Sequence, residues 1–455
     1  MRKLYLAALG MVFATTRLSA QQPVPLSLQQ CMDYALQHNY TIKNARVDVK
    51  IQQAQVNQQI SAAYPHVNVK GEWDRYPDPQ QSIINSSSFL TGLPPGTIPT
   101  PKGDGESPVA FTLHNGASTS LTATQVLFDG SVFVALKARE SVMQFARLNE
   151  AVSEETVRYN VFRAYNSLVI AYRQFTIVNN SLSLMRQMDN DVKAMYGAGV
   201  NEKLDVQRSA VQIYNLASDS IRTSNILATT EQMLKFQMGM DINTPIILTD
   251  TALEQRRENV LSLLTQDSRY EDVPTFNMLR SAVTMQEYNV ERYKKAAIPT
   301  LNAFGSTGYN YASNHFEKMF FFDKYLFSSA FGLQLNVPVF NGFMRTAQLA
   351  EARLNVEKAQ NNVDNMKLTI DFQVQQARTS LRNAVLQVQS QRKNMDLSED
   401  VLNLAQKKYK EGVGSNLEVT QAQTDLLRAE NNYFSSLLDL VNAEADLKKA
   451  LGQLK

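Results

Sequence analysis

The 455-residue sequence has few of the side chains that usually carry chemistry. A single cysteine, Cys31, excludes an intramolecular disulfide. The four histidines are scattered, and no His, Cys or carboxylate cluster has the spacing of a metal site. No nucleophile elbow and no phosphate-binding loop occurs either. We therefore expect no catalytic residue, no metal and no cofactor, and the protein is predicted not to be an enzyme.

An excess of charge of one sign is also absent. The chain carries 45 Lys and Arg residues against 43 Asp and Glu residues, a formal net charge of +2. A nucleic-acid-binding protein normally shows a basic excess or basic runs. Because the sequence has neither, nucleic acid is not an expected partner.

Long hydrophobic runs are missing as well. Residues 1–20 combine a basic start, an apolar run from Leu4 to Ala14 and a small residue at Ala20, which is typical of a secretory signal peptide. A membrane anchor is the weaker alternative, because the run is short and no run of about 18 apolar residues follows it. Cys31 lies too far beyond the expected cleavage site to be a lipid-bearing first residue, so we expect a small buried side chain on a helix.

Proline and glycine are rare inside six segments that are rich in Ala, Gln, Leu and Glu. Such segments favour helices, which we predict at 27–62, 130–196, 201–239, 275–297, 342–410 and 415–451. The two longest would each extend about 100 Å. In the last segment a heptad seam predicts coiled-coil packing; it consists of Ala422, Leu426, Ala429, Tyr433, Ser436, Leu440, Ala443, Leu447 and Ala450. The expected fold class is mostly α, with long antiparallel coiled-coil helices.

Four further segments, at 64–76, 109–128, 299–312 and 325–340, alternate between apolar and polar residues, which predicts strands with one apolar face. A second sheet could cover that face in a soluble sandwich, or lipid could cover it in a membrane. Aromatic residues near the strand ends favour lipid and a membrane aromatic belt; they are Trp73, Tyr76, Tyr309, Tyr311, Tyr325 and Phe327. Because lipid tolerates no open sheet edge, the four strands would have to close a barrel with strands of other chains.

The sequence also contains an internal two-fold repeat. The stretch "YGAGVNEKLDVQRSAVQI", which starts at Tyr196, is echoed by "YKEGVGSNLEVTQAQTDL", which starts at Tyr409, and "VLFDG" is echoed by "PVFNG". We therefore predict a first repeat at 21–239, a polar insertion at 240–274, a second repeat at 275–452 and a short C-terminal end at 453–455. The first copy has an additional loop at 77–108 that is rich in Pro, Gly and Ser.

In the order and spacing of these motifs, the sequence resembles the TolC-like outer-membrane efflux proteins. The resemblance rests on the two repeated turns, on "QVLFDG" and "VPVFNG", on the start "LSLQQCMDYALQHNYTIKNA" and on the closing "ALG". It implies a homotrimer in the outer membrane of a Gram-negative bacterium, with a shared twelve-stranded β-barrel, a periplasmic α-barrel and an equatorial belt at the insertion. It also implies the exit duct of a tripartite efflux or type I secretion system. The partners would be a periplasmic adaptor protein, an inner-membrane pump and outer-membrane lipid.

By the same resemblance, the two repeated turns are the periplasmic tips of the duct, where adaptor proteins dock. The docking residues would be Gly197, Gly199, Val200, Gly412, Val413, Gly414 and Ser415. The glycines could instead serve only as helix caps.

The resemblance also places a pore gate at the tips. Glu418 matches a family acid that points into the aperture, so three copies would form an acidic ring that favours cations. Gln421 replaces a second acid, and Asp205 is the matching residue of the first tip. Alternatively, Glu418 is only an acid that complements the dipole at the start of its helix.

Two other functions are compatible with parts of the pattern. A trimeric outer-membrane adhesin or coiled-coil scaffold would use the same barrel anchor without transport. A periplasmic enzyme is disfavoured, because the sequence offers no reactive group of residues.

Overall fold

The computed structural model describes residues 24–85, 106–110, 112–249, 257–317 and 325–454, and the predicted signal peptide lies outside these ranges. The chain forms two compact units. Unit 1 takes the described residues of Met1–Val49, Ala146–Leu279 and Asn362–Lys455, and unit 2 takes those of Lys50–Phe145 and Arg280–Asn361. Each unit therefore combines segments from both predicted repeats.

The predicted helix at 27–62 is divided in two. Helix α1 spans Leu28–His38 and helix α2 spans Tyr40–Ser61. Asn39 between them is extended, with φ −63° and ψ 133°. Its side-chain nitrogen Nδ2 donates to the Gln237 carbonyl at 2.7 Å, and its Oδ1 accepts from the Thr41 N–H at 2.7 Å. The second bond caps α2, so this asparagine ends one helix and starts the next.

The other five predicted helices are close to their predicted bounds, and one short helix, α5, was not predicted. In chain order, the helices after α2 are α3 at Gly130–Gly197, α4 at Lys203–Met238, α5 at Arg257–Leu263, α6 at Pro274–Lys295, α7 at Met344–Lys410 and α8 at Asn416–Ala450. Helix α5 and a 3-10 turn at Tyr270–Asp272 lie in the predicted polar insertion at 240–274. No helix in the described ranges is both long and apolar enough to cross a membrane.

The helices of unit 1 pack along the predicted seam. All nine seam residues of α8 are buried, as its heptad spacing predicted. One core cluster of unit 1 includes Val161, Tyr165, Leu234 and Ala445. Cys31 belongs to this cluster, and burial raises the pKa of its thiol to about 12. Cys31 is thus the small buried helical residue expected from the sequence.

The main sheet belongs to unit 2 and is antiparallel. It orders β2 (His66–Arg75), β5 (Asn115–Phe128), β7 (Thr300–Ser313) and β8 (Leu326–Asn336) side by side in this sequence. The predicted bounds of two strands were wrong. Strand β8 ends before Pro338, which has no N–H to donate to a ladder.

The predicted strand at 109–128 begins later, at Asn115. Residues 109 and 110 of the predicted strand belong instead to β4 (Glu106–Ala110), which pairs with β3 (Gln81–Asn85). The predicted loop at 77–108 therefore contains two paired strands. In unit 1, a short β1 (Val24–Leu26), which the sequence did not predict, pairs in parallel with β6 (Ile246–Leu248).

The main sheet has one apolar and one polar face, because pairing brings odd-numbered residues together. Val69 pairs with Leu121, and Leu301 pairs with Leu335. Phe304, which breaks the alternation, lies on the polar face over Gly332, where an added Cβ would be 3.0 Å from its ring. The glycine thus leaves room for an aromatic ring.

A β-bulge interrupts the register between Val126 and Phe128. Before the bulge, the even-numbered Val126 pairs with Asn302; after it, Phe128 pairs with Leu301. The extra residue therefore moves Phe128 onto the apolar face of the sheet. Phe128 then contacts Phe133 in the first turns of α3, with ring centroids 5.7 Å apart.

Candidate functional site at the two helix turns

The turn between α3 and α4 is a left-handed helix cap in unit 1. Gly199 has φ +76°, a conformation that favours glycine. The Gly199 N–H donates to the Tyr196 carbonyl at 3.0 Å, and the Val200 N–H donates to the Met195 carbonyl at 2.9 Å. This pair of bonds is a Schellman motif, which satisfies the last carbonyls of α3.

The turn between α7 and α8 repeats the same geometry. Gly412 also has φ +76°. Its N–H donates to the Tyr409 carbonyl at 3.1 Å, and the Val413 N–H donates to the Lys408 carbonyl at 3.0 Å. At Gly414 an added Cβ would lie 3.0 Å from the Cβ of Lys408, so a larger side chain would crowd the turn. Gly197, by contrast, is an exposed residue at the end of α3 with open space around it.

Hydrogen bonds join the two turns directly. The Asn201 Nδ2 donates to the Tyr409 hydroxyl at 2.8 Å, and that hydroxyl lies 3.5 Å from the sulfur of Met195. The Asn416 Nδ2 donates to the Asp205 backbone carbonyl at 3.2 Å. The four helices that meet here share an apolar core that includes Leu182, Met185, Leu216, Leu402, Val419 and Leu426. The two turns therefore form one structural element.

A buried acid, Asp189, supports this element from α3. Its Oδ1 accepts from the Ser209 hydroxyl at 2.5 Å, and its Oδ2 lies 2.6 Å from the Lys193 ammonium. Burial acts to raise the pKa of the Asp189 carboxyl, but the hydrogen bonds from Lys193 and Ser209 and the charge of Lys193 outweigh it, and the net pKa is lowered. Asp189 is thus ionised at neutral pH and ties α3 to α4. Sequence reasoning missed it.

Two apolar side chains project from the turns into solvent. Val200 is 73% exposed and Val413 is 78% exposed, and they occupy equivalent positions of the two caps. Leu204 and Leu417, in the first turn of the helix that follows each cap, are also exposed. Paired apolar groups on a rigid polar turn provide a small surface that another protein could cover.

The predicted gate residues differ in their surroundings. Glu418 is exposed, and its N–H donates to the Ser415 Oγ at 3.2 Å, which makes Ser415 the N-cap of α8. Asp205 is half-buried, and its carboxylate accepts from the Glu202 N–H at 3.4 Å, a capping contact at the start of α4. Of the two, Glu418 has the freer carboxylate.

Gln421 is engaged with an acid that sequence reasoning missed. Its Nε2 donates to both carboxylate oxygens of Asp425 at 3.2 Å. Arg428 lies 3.8 Å from the same carboxylate. The four-residue spacing of Gln421 and Asp425 on one helix face could have revealed this contact.

A second acid that sequence reasoning missed is Glu430 on α8. Its side chain is half-buried, and among the described residues its Oε2 has no hydrogen-bond partner. Burial, and next the charge of Glu399 on α7, raise the pKa of Glu430 to about 7.

The predicted aromatic belt is brought together by the sheet of unit 2. Tyr309 contacts Phe327 with ring centroids 5.4 Å apart, and Tyr311 stacks on Tyr325 at 5.0 Å. The side chain of Tyr311 is buried within its own chain. Trp73, the belt residue on β2, is exposed. Tyr76 is exposed just beyond the end of β2. Their contact with lipid remains a prediction.

These features define a class of protein. A sheet with one apolar and one polar face is typical of transmembrane β-barrel strands. The model of the family described as "Outer membrane efflux protein" matches residues 32–240 and 271–453. Because this match covers more than half of the chain, the protein belongs to that family.

Individual relatives agree with the family. The chain is 20% identical to "Outer membrane protein TolC" of Salmonella enteritidis over 348 residues, which cover 75% of this chain and 70% of the relative. It is 22% identical to the "Probable efflux pump outer membrane protein TtgC" of Pseudomonas putida, over 94% of this chain and 83% of the relative. It is also 22% identical to the "Alkaline protease secretion protein AprF" of Pseudomonas aeruginosa, over 74% and 68%.

Solved structures show the same fold. The CusC channel superposes with a TM-score of 0.68 at 17% identity, covering 93% of this chain and 91% of that one. VceC of Vibrio cholerae gives 0.66 at 16% identity, covering 93% and 96%. The protein is therefore an outer-membrane exit channel for efflux or type I secretion and not an enzyme, as the sequence predicted.

Proposed function

We propose that the chain assembles as a homotrimer whose twelve strands close one β-barrel, with the helices forming a periplasmic α-barrel. The observation that carries this proposal is the four-stranded sheet. Within the described part of the chain, β2 and β8 each pair along one edge only, while odd-numbered residues make one face apolar. In lipid, open edges must be paired, and three copies supply the twelve strands.

Exposed apolar side chains on the helices support assembly. On α4, Val211, Tyr214 and Ile221 are exposed, and on α7, Leu397 and Leu404 are exposed. Large apolar groups that recur along a helix typically cover a partner surface. Neighbouring protomers would bury them in a closed ring of helices.

The matching caps support an internal repeat. Gly199 and Gly412 share φ +76°, and the residues after them make equivalent hydrogen bonds. At the other end of α4 and α8, Gly239 and Gly452 are also left-handed, with φ +71° and +66°. The four glycines therefore mark the same two positions in each half.

The turns would be the docking surface for a periplasmic adaptor protein, which in turn would connect the duct to an inner-membrane pump. The exposed Val200 and Val413 supply apolar contact on a rigid cap. Glu418, exposed at the start of α8, would form the acidic ring at the aperture.

The assembly can be tested on the purified full-length protein. Its mass in native mass spectrometry should be that of three chains, and insertion into a planar bilayer should give stepwise ion conductance. A stable monomer without conductance would contradict the proposed duct. Protease added to intact cells distinguishes the duct from an adhesin. If the helices are periplasmic, cleavage should occur only within 77–108, whereas an adhesin would expose its helices outside the cell, where the protease could cut them.

A further inference from the structure

A groove lies among three helices of unit 2, next to the sheet. Its volume is about 510 Å³, within the range of small-molecule sites. Its walls come from the end of α2, the start of α3 and the second half of α6. Near the sheet, the backbones of α3 and α6 are in close contact at Gly130. A Cβ added there would lie 2.8 Å from the Lys295 carbonyl oxygen. The groove therefore has a closed end at the strands.

The lining of this groove combines apolar surface with two arginine side chains. Val56, Leu136 and Met285 contribute apolar atoms to the lining, and Arg139 and Arg292 contribute charge. Both arginines are exposed, and neither forms an ion pair with a carboxylate among the described residues; the Arg292 guanidinium lies over the Tyr293 ring, 4.9 Å from its centroid. An apolar groove with arginines that have no carboxylate partner among the described residues is complementary to an amphipathic anion, because arginine binds carboxylate, sulfate and phosphate groups in bidentate fashion.

The contact between α3 and the sheet indicates on which side of the sheet and its attached helices, the wall of the proposed channel, the groove lies. Phe133 on α3 contacts Phe128, which the bulge places on the apolar face of the sheet. Ala135 lines the groove two residues later, about 160° around the helix from Phe133. The groove is thus on the same side as the polar face of the sheet, which would face water inside the proposed barrel.

We propose that this groove is a binding site for amphipathic organic anions of drug-like size on their way through the channel. The inference rests on the proposed trimeric duct, since only that assembly makes the polar side of the wall an interior surface. The acidic ring proposed for Glu418 would act on small ions at the resting aperture, which must widen before any cargo of this size reaches the groove.

The chain offers a matched control for the charge. Lys137 and Lys294 each lie two residues from a groove arginine on the same helix, so they point to the opposite side of the wall. Lys137 does not line the groove; its ammonium lies 4.0 Å from Glu291 and 5.8 Å from the ring centroid of Tyr288, one of the lining residues. One variant replaces the two arginines and a second variant replaces the two lysines. Each variant therefore loses two positive charges, one from α3 and one from α6.

The test uses the full-length trimer transferred from detergent to amphipol, with the fluorescent anion 1-anilinonaphthalene-8-sulfonate as the probe. The wild type should bind it saturably, and the Arg139→Gln/Arg292→Gln variant should bind about tenfold more weakly, because both charge-assisted contacts are lost. The Lys137→Gln/Lys294→Gln variant should bind like the wild type. Equal loss in both variants, or no loss in the first, would overturn the proposal.

A steric variant and a conductance measurement complete the test. Ala135→Trp should fill the groove and abolish saturable binding while both arginines remain; binding that survives would refute the site. Circular dichroism and trimer mass verify folding of each variant. Ion conductance measured without the probe tests the proposed duct separately. A variant set that conducts but shows no arginine-dependent probe binding would refute only the groove as a binding site. Arginine-dependent binding to a protein that does not conduct would refute the proposed duct and the role of the groove in transport.

Discussion

The buried carboxylate of Asp189 should control the local stability of the element formed by the two turns. Asp189→Asn removes the charge that holds Lys193 at 2.6 Å and weakens the acceptor for Ser209 at 2.5 Å. Loss of charge-assisted hydrogen bonds costs about 1.5–3 kcal/mol each, but the lysine side chain is 56% exposed, so solvent screening reduces its share. We expect a net loss of about 2 kcal/mol in the local opening free energy.

Amide hydrogen exchange measured by mass spectrometry reports this opening directly. Peptides that cover 186–209 should exchange about 30-fold faster in Asp189→Asn than in the wild type at pH 7, since each 1.4 kcal/mol corresponds to a factor of ten. The exposed Asp191, two residues further along α3, gives a matched control: Asp191→Asn should leave exchange unchanged.

The pH dependence of this difference has a definite sign. The folded pKa of Asp189 is lowered below the ordinary aspartate value of 3.8, so its stabilisation is fully present above that value and is lost only as the pH falls through the folded pKa. The ratio of opening constants between wild type and variant should therefore be the same at pH 5 and pH 7. A ratio near one at pH 7, or a ratio that shrinks between pH 7 and pH 5, would refute the reasoning.

Three further changes test the turns and the helices behind them. Glu418→Gln should reduce the cation preference of the channel in planar bilayers, because the proposed acidic ring loses its charge; unchanged selectivity would rule out the ring. Gly412→Pro should abolish crosslinking to the adaptor while the trimer persists, because proline cannot adopt φ +76°; intact crosslinking would argue against docking at this turn. Glu430 has a folded pKa raised to about 7, so the wild type should lose stability in chemical denaturation as the pH rises from about 5 to 7.5. Glu430→Gln should remove that slope, and a slope that persists would assign it to another group.

Local sequence patterns predicted the helices well, because each pattern repeats over many turns. The seam of α8 is buried at every predicted position. The repeated turns were also predictable, since a Schellman cap needs glycine at one position and the sequence shows it twice. Family membership, which the order of these motifs indicated, is confirmed by the family match.

Features that depend on distant residues were not predicted. The break at Asn39 is made by a contact with the carbonyl of Gln237, almost two hundred positions away. The role of Tyr409 as an acceptor for Asn201 depends on how two separate turns pack. The groove of unit 2 draws its walls from three segments that are far apart in the chain, so no local period reveals it.

The bulge in β5 has a consequence for which changes of chain length the protein tolerates. Deleting Leu127, the extra residue between Val126 and Phe128, would remove the bulge and leave Phe128 opposite Leu301 on the apolar face, whereas one residue inserted between Phe128 and α3 would turn the helix by about 100° relative to the strand that precedes it. Residues 86–105 lie between the paired strands β3 and β4, so a length change there leaves the main sheet in register. Natural or engineered insertions should therefore accumulate in that segment, whereas the length of chain between Phe128 and α3 sets the phase between sheet and helix.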